Sequence, residues 1–171
     1  VIVIAVCLCA AFAAQLAPHD PNAMDLTNMT KPPVWMEGGD WENVLGTDNL
    51  GRDILSRMLY GAQISLVVGV LATLMSGALG MVLGLVSGYY GGIVDHVIMR
   101  IADAFYAIPG ILLALVTLMV FNSSGIVTLV LVIAAISWVQ YARLIRSEVL
   151  RLKEKEFVRA SKTLGAPSLS I

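Results

Sequence analysis

The chain has 171 residues, is 58% hydrophobic and 13% charged, and carries a net charge of −1 with a mean hydropathy of +0.83. That charged share is about half the share of a soluble domain, so composition excludes an ordinary soluble globule and points to a membrane protein. The net charge by itself says nothing about nucleic-acid or anionic partners; no nucleic-acid partner is expected. The charges are also unevenly placed. No Asp, Glu, Lys or Arg occurs between Met58 and Val94, or between Ala104 and Ala142. A membrane crossing needs about 20 apolar residues, so each block can hold one or two helices of an all-α, polytopic membrane fold.

The chain opens on VIVIAVCLCAAFAAQLA, with no basic region ahead of it. Val1–Ala17 reads as a first transmembrane helix, truncated at its front; a cleavable signal is the alternative. Cys7 and Cys9 lie two residues apart, point to different sides of a helix and read as packing residues. Residues 18–62 form a polar segment with four prolines, two tryptophans, seven acids and three bases. Its Pro and Gly punctuation predicts irregular loop as far as Gly46. Asp48 or Asn49 can then cap a helix. Ile54, Leu55, Met58 and Leu59 share a face opposite Arg52, Asp53, Ser56 and Arg57. That pattern suits a short amphipathic helix, either at the membrane surface or packed on its own neighbours.

From residue 63 onward the chain reads as one transmembrane domain, with Ile64–Ser87 as its clearest span. Along it Ala72, Ser76, Gly80, Gly84 and Gly88 recur every four residues and form one stripe. Lipid offers no hydrophobic force between helices, so close backbone approach through small residues must hold them together. The stripe predicts a helix–helix seam. GYYGG, residues 88–92, reads as a turn. A helix then runs from about Ile93, past Asp95, His96, Arg100 and Asp103, uncharged to Phe121. Arg100 and Asp103, three residues apart, are expected to pair. Pro109 is expected to bend this helix, with neighbours satisfying the freed carbonyl. NSSG, residues 122–125, is a tight turn. Ile126–Ala142 is the next span, ended by Trp138, Tyr141 and Arg143. A heavily charged helix follows.

Alternating spans put residues 18–62 and the NSSG turn on one side, with three bases. The other side holds Arg100, Arg143, Arg146, Arg151, Lys153, Lys155, Arg159 and Lys162. The positive-inside rule makes that second side cytoplasmic and residues 18–62 extracytoplasmic. In the closing segment, EFVRASKTLGAPSLSI, Phe157, Ala160, Ser161 and Leu164 line one helical face. Glu156, Arg159, Lys162 and Thr163 cover the rest. Gly165 is a natural helix stop and Pro167 prevents continuation.

This segment resembles the "EAA…G" loop of ABC-importer permeases, with Arg159-Ala160-Ser161, then Lys162-Thr163-Leu164, then Gly165 in the motif's frame. LGTDNLGRDILSRMLYGAQISL (45–66), SGYYGG (87–92) and YARLIRSEVLRLKEKEFVRASKTLGA (141–166) are similar to the C-type permease subunit of dipeptide, oligopeptide and nickel importers. Arg159 replaces the motif's Glu and Ser161 its second Ala, and Pro167 falls where such loops more often carry a polar residue. The resemblance implies the transmembrane domain of a type I ABC importer, of which this chain holds about four of six helices. It also implies that residues 148–171 form the coupling loop, with Glu156, Phe157, Arg159, Ala160, Ser161, Leu164 and Gly165 contacting an ATPase. Ser76, Gly80, Gly84 and Gly88 would pack helices, and Pro109 would bend one. The implied partners are a second homologous permease, two cytoplasmic ATP-binding-cassette ATPases, an extracytoplasmic substrate-binding protein and membrane lipid, in a bacterial or archaeal inner membrane. Peptides are the expected cargo, with nickel or another small solute as the alternative. ATP and Mg²⁺ would be bound by the ATPases, since no G-x-x-x-x-G-K-[ST] loop occurs here, and no cofactor is expected in this chain.

Other constellations are weaker. His19 with Asp20 and Asp25 falls short of a closed metal set and reads as solvated loop. His96 near Asp95 and Asp103 could relay protons, but its place near a helix end suits an interfacial cluster. The eight methionines read as packing. Neither histidine lies near a motif serine, so no catalytic residue is assigned. An ion-driven transporter or a membrane-embedded enzyme would place ionisable groups at span centres, and these centres carry none. A membrane scaffold without cargo is the remaining class.

Overall fold

The structure, a computed structural model, describes residues 1–121 and 125–164. Among them the one extended pairing is an isolated bridge between Thr47 and Asp53. The chain divides into two compact units, Val1–Gly69 and Val70–Ile171.

In the first unit, α1 (Ile2–Ala11) and α2 (Ala13–Leu16) are separated at Phe12, so the opening apolar run is not one continuous helix. A short 3₁₀ turn, Leu26–Asn28, follows. The polar segment that reads as irregular loop is tied together by its own backbone. Thr30 N donates to Asp48 O at 3.1 Å, Val34 N to Val44 O at 3.1 Å and Thr47 N to Lys31 O at 3.1 Å. The Thr47 hydroxyl donates to Asn28 O at 2.5 Å and accepts from Lys31 N at 2.9 Å. Asp48 gathers the far end. Its carboxylate accepts from the backbone N–H of Leu50 and Arg52, from Arg52 Nε at 2.8 Å, and pairs with Arg57. Gly51 allows this closure. Its φ is +71°, and a Cβ there would stand 1.8 Å from the Asp25 carbonyl oxygen.

Helix α3 runs from Ile54 to Tyr90 without a break. Its cap is neither Asp48 nor Asn49. Asp48 is committed to the loop, and Asp53 Oδ2 accepts from Ser56 N at 2.8 Å instead. The short amphipathic helix and the span read separately from sequence are therefore one rod of 37 residues. No proline interrupts it, and its glycines are tolerated. At about 1.5 Å per residue it is about 55 Å long, well beyond the roughly 30 Å of bilayer hydrocarbon.

In the second unit Gly91 and Gly92, both at positive φ, turn the chain from α3 into α4 (Gly92–Ala107). Then come α5 (Gly110–Phe121), α6 (Ile126–Lys153) and α7 (Glu156–Thr163). The helix expected to run through Pro109 is two helices, bent by 89°. The cause is local. A residue before proline is pushed out of the helical region, and Ile108 is extended at φ −88°, ψ 126°. The Pro109 carbonyl then accepts from Leu112 N at 2.8 Å and opens α5. The core of this unit is Ala102, Trp138, Val139 and Ala142, with Leu83 against them. Phe105 meets Trp138 edge-to-face at 5.8 Å. Among the described residues, α3 and α6 are each long and apolar enough to cross a membrane, and the bent α4–α5 pair makes a third crossing if it counts as one span.

Candidate functional site

The small residues on α3 meet α6 directly. A Cβ on Gly80 would lie 2.5 Å from Tyr141 Cβ and 2.6 Å from the Trp138 carbonyl oxygen. On Gly84 it would lie 2.5 Å from the Ala142 carbonyl oxygen, and on Gly88 2.8 Å from Val149 Cβ. No real side chain fits at those distances, so the two backbones touch where the glycines are. Ser76, higher on the same stripe, is buried and its hydroxyl donates back to Ala72 O at 2.7 Å. Glycines off the stripe behave differently: a Cβ on Gly69 or Gly77 would meet nothing within 4 Å.

Below Gly88 the seam ends in a polar cluster. The Arg146 guanidinium donates to both oxygens of Asp95, Nε to Oδ1 at 2.5 Å and Nη2 to Oδ2 at 2.6 Å. Ser87 Oγ donates to the same Oδ1 at 2.5 Å. Lys153 Nζ donates to the carbonyls of Gly88 at 3.1 Å and Tyr89 at 2.8 Å, the last turn of α3. Helix C-termini present unpaired carbonyls, and a cation satisfies them. Three helices are thereby tied at one point. Asp103 pairs with Arg143 at 2.8 Å, not with Arg100 as expected from their spacing. Arg143 also lies over the Tyr106 ring, 4.7 Å from its centroid. α6 brings a base opposite Asp103, while Arg100 lies along a groove with Ile93, Val97 and Ile101. His96 Nδ1 lies 2.6 Å from Gly92 O, within its own helix.

α6 leads straight from this cluster to α7. The connection is two residues, Glu154 and Lys155, and Lys155 O accepts from both Val158 N and Arg159 N at 3.1 Å. Glu156 stands in the first turn, where an acid complements the helix dipole. Among the described side chains of α7, Val158 is buried and Ser161 is half-buried. Phe157 is 66% exposed and Leu164 87% exposed, and Arg159 and Ala160 are exposed too. An apolar face on a short helix is thus turned outward. Gly165 and Pro167 lie outside the described residues, as do 122–124 of the NSSG turn. Sequence reasoning missed Val158 as the anchor and the Ser87–Asp95–Arg146–Lys153 cluster. The signal for the latter was two opposite charges, Asp95 at the edge of one uncharged block and Arg146 about a turn beyond the end of the other.

Comparison with known proteins agrees with this architecture. Residues 80–171 match the binding-protein-dependent transport system inner membrane component family. The chain is 40% identical, over its full length, to 58% of the dipeptide transport system permease protein DppC of Haemophilus influenzae. It is 38% identical, over 97% of its length, to 52% of the oligopeptide transport system permease protein OppC of Bacillus subtilis. It is 41% identical, over 99% of its length, to 54% of the glutathione transport system permease protein GsiD of Escherichia coli. The chain thus spans a little over half the length of these relatives. With a match over more than half of its residues, a fold of apolar helices and a glycine seam within the matched region, the chain belongs to the inner membrane components of binding-protein-dependent transport systems, the C-type permeases of ABC importers.

Proposed function

We propose that this chain is part of the permease subunit of a peptide importer, and that α7 is the element through which ATPase subunits drive it. The observation that carries the reading is the outward-turned apolar face of α7, with Phe157 and Leu164 exposed, joined through two residues to α6. A short helix that exposes its apolar side in water is incomplete by itself, and a groove in a partner completes it. Glu156, Phe157, Arg159, Ala160, Ser161, Leu164 and Gly165 form the contact. The eight bases counted on its side of the membrane place it in the cytoplasm.

Movement of α7 passes to α6 and, through the Gly80–Gly84–Gly88 seam and the Asp95–Arg146 and Lys153 contacts, to α3 and α4. That is a rigid-body switch biased by a ligand bound on another subunit. ATP and Mg²⁺ belong to that subunit, and this chain performs no catalysis. A second permease completes the path across the lipid, and an extracytoplasmic binding protein delivers cargo. Relatives named for dipeptides, oligopeptides and glutathione favour peptides over nickel as that cargo.

The test uses the complete transporter in nanodiscs. Ala160→Trp, on the exposed face of α7, is expected to abolish peptide-stimulated ATP hydrolysis and to reduce copurification of the ATPase. Unchanged stimulation by peptide would exclude α7 as the coupling element.

A further inference from the structure

Helix α4 is engaged along one side. Asp95 is held by Arg146 and Ser87, Asp103 is held by Arg143, and Ala102 is buried in the core with Trp138, Val139 and Ala142. At about 3.6 residues per turn, Ile93, Val97, Arg100 and Ile101 fall on the opposite side. They line one shallow groove, flanked by His96. Ile93, Val97 and Ile101 are exposed, and so is Arg100.

An apolar face alone would not name its occupant. The charge on this one does. Among the described residues no acid pairs with Arg100, and no acid lines the groove. The two acids of its own helix are taken, Asp95 by Arg146 and Asp103 by Arg143. The level of Arg100 is also fixed. Asp103 is the last charge on α4 before the uncharged stretch, and Arg143 is the first charge after it. Their pairing marks the edge of the polar zone. Arg100 lies about one turn from Asp103 on the charged side of that edge. An arginine at this depth lays its stem along apolar side chains and keeps its guanidinium among the headgroups. The group it meets there is phosphate, whose oxygens suit the guanidinium fork. A zwitterionic headgroup would also bring an ammonium, for which the groove has no acid.

We propose that this face of α4 binds an anionic phospholipid. Its phosphate oxygens accept from the Arg100 guanidinium, and one acyl chain lies along Ile93, Val97 and Ile101. Neither the coupling role of α7 nor the orientation of the chain enters, because both leaflets present phosphate at this level.

The experiment uses the complete transporter in phosphatidylcholine nanodiscs. Its native cysteines are replaced by alanine, and Val94→Cys, beside the groove, carries a bimane fluorophore. The quenchers are phosphatidylglycerol and phosphatidylcholine with the same nitroxide-bearing acyl chain. Phosphatidylglycerol is expected to reach half-quenching at about one fifth of the mole fraction that phosphatidylcholine needs. Arg100→Gln should bring the two lipids level. Arg151→Gln, a base outside the groove, should leave the preference as it was. Equal quenching by both lipids before any change at Arg100 would overturn the site. So would a preference that survives Arg100→Gln, or one that Arg151→Gln abolishes equally. Quenching by neither lipid would mean that protein, from the rest of this chain or from another subunit, covers the face, and would overturn it as well.

Discussion

Asp95 accepts a bidentate pair from Arg146 and a third hydrogen bond from Ser87. Its side chain is 15% exposed and that of Arg146 33%, so losing it leaves a half-buried guanidinium without its partner. Asp95→Ala is expected to cost about 2 kcal/mol or more, read as a drop in the unfolding midpoint of the purified protein. The double exchange Asp95→Arg with Arg146→Asp should recover part of the loss, and no recovery would mean that the pair is not what holds the site. In the loop, burial raises the Asp48 carboxyl, but hydrogen bonds from Arg52 and Leu50 and the Arg52 charge outweigh it and hold it well below its ordinary value of 3.8. Asp40 is lowered likewise, first by its hydrogen bond from Lys31. A depressed carboxylate stabilises the fold above its unfolded pKa, and that stability is lost as pH falls through the folded value. The loop should therefore hold its structure from neutral pH down to about 4 and loosen below it. Fluorescence of Trp35 and Trp41, both exposed in this loop, is the readout. A transition centred near neutral pH would contradict the assignment. None of these partners was legible beforehand. Asp103 had an apparent mate in Arg100 at helical spacing, and only the packing of α6 shows that Arg143 takes it.

The elements tell a different story. The four-residue stripe on α3 was readable as a seam because membrane helices must approach through small residues, whichever helix they meet. Its partner was not readable, since nothing in the stripe names Tyr141, Ala142 or Val149. Gly84→Leu is expected to disrupt this packing, because even its Cβ would overlap the Ala142 carbonyl. Gly77→Leu, where a Cβ meets nothing within 4 Å, is the matched control and should be tolerated. Detergent-stable yield of the two variants separates them. Equal yields would count against a tight α3–α6 contact. Pro109 shows the opposite outcome. A proline within an apolar run was read as a bend in one helix, and the extended backbone it imposes on Ile108 produced two helices instead.

At the scale of the whole molecule the decisive matter is orientation. The proposed coupling role requires α7 to lie inside the cell, as the excess of bases from Arg143 onward predicts. With every native cysteine of the complete protein, Cys7 and Cys9 included, replaced by alanine, Ala160→Cys provides one reporter thiol. A membrane-impermeant maleimide is expected to leave it unlabelled in intact cells and to label it after permeabilisation. Labelling from outside would invert the topology and remove the coupling role of α7.

What the chain alone determined is its solvent and its class. Charge-free blocks must enter lipid because ionised groups there are costly, and the LGTDNLGRDILSRMLYGAQISL, SGYYGG and EFVRASKTLG stretches carry the family by local pattern. These are properties of residues near one another in sequence. Tertiary structure decided which residues 50 or more apart meet: Asp95 with Arg146, Lys153 with the end of α3, the glycines with α6. It also turned a proline-rich stretch that reads as solvated loop into a folded lobe. Each such pairing is chosen by the simultaneous packing of whole helices and turns, and local periodicity does not encode it.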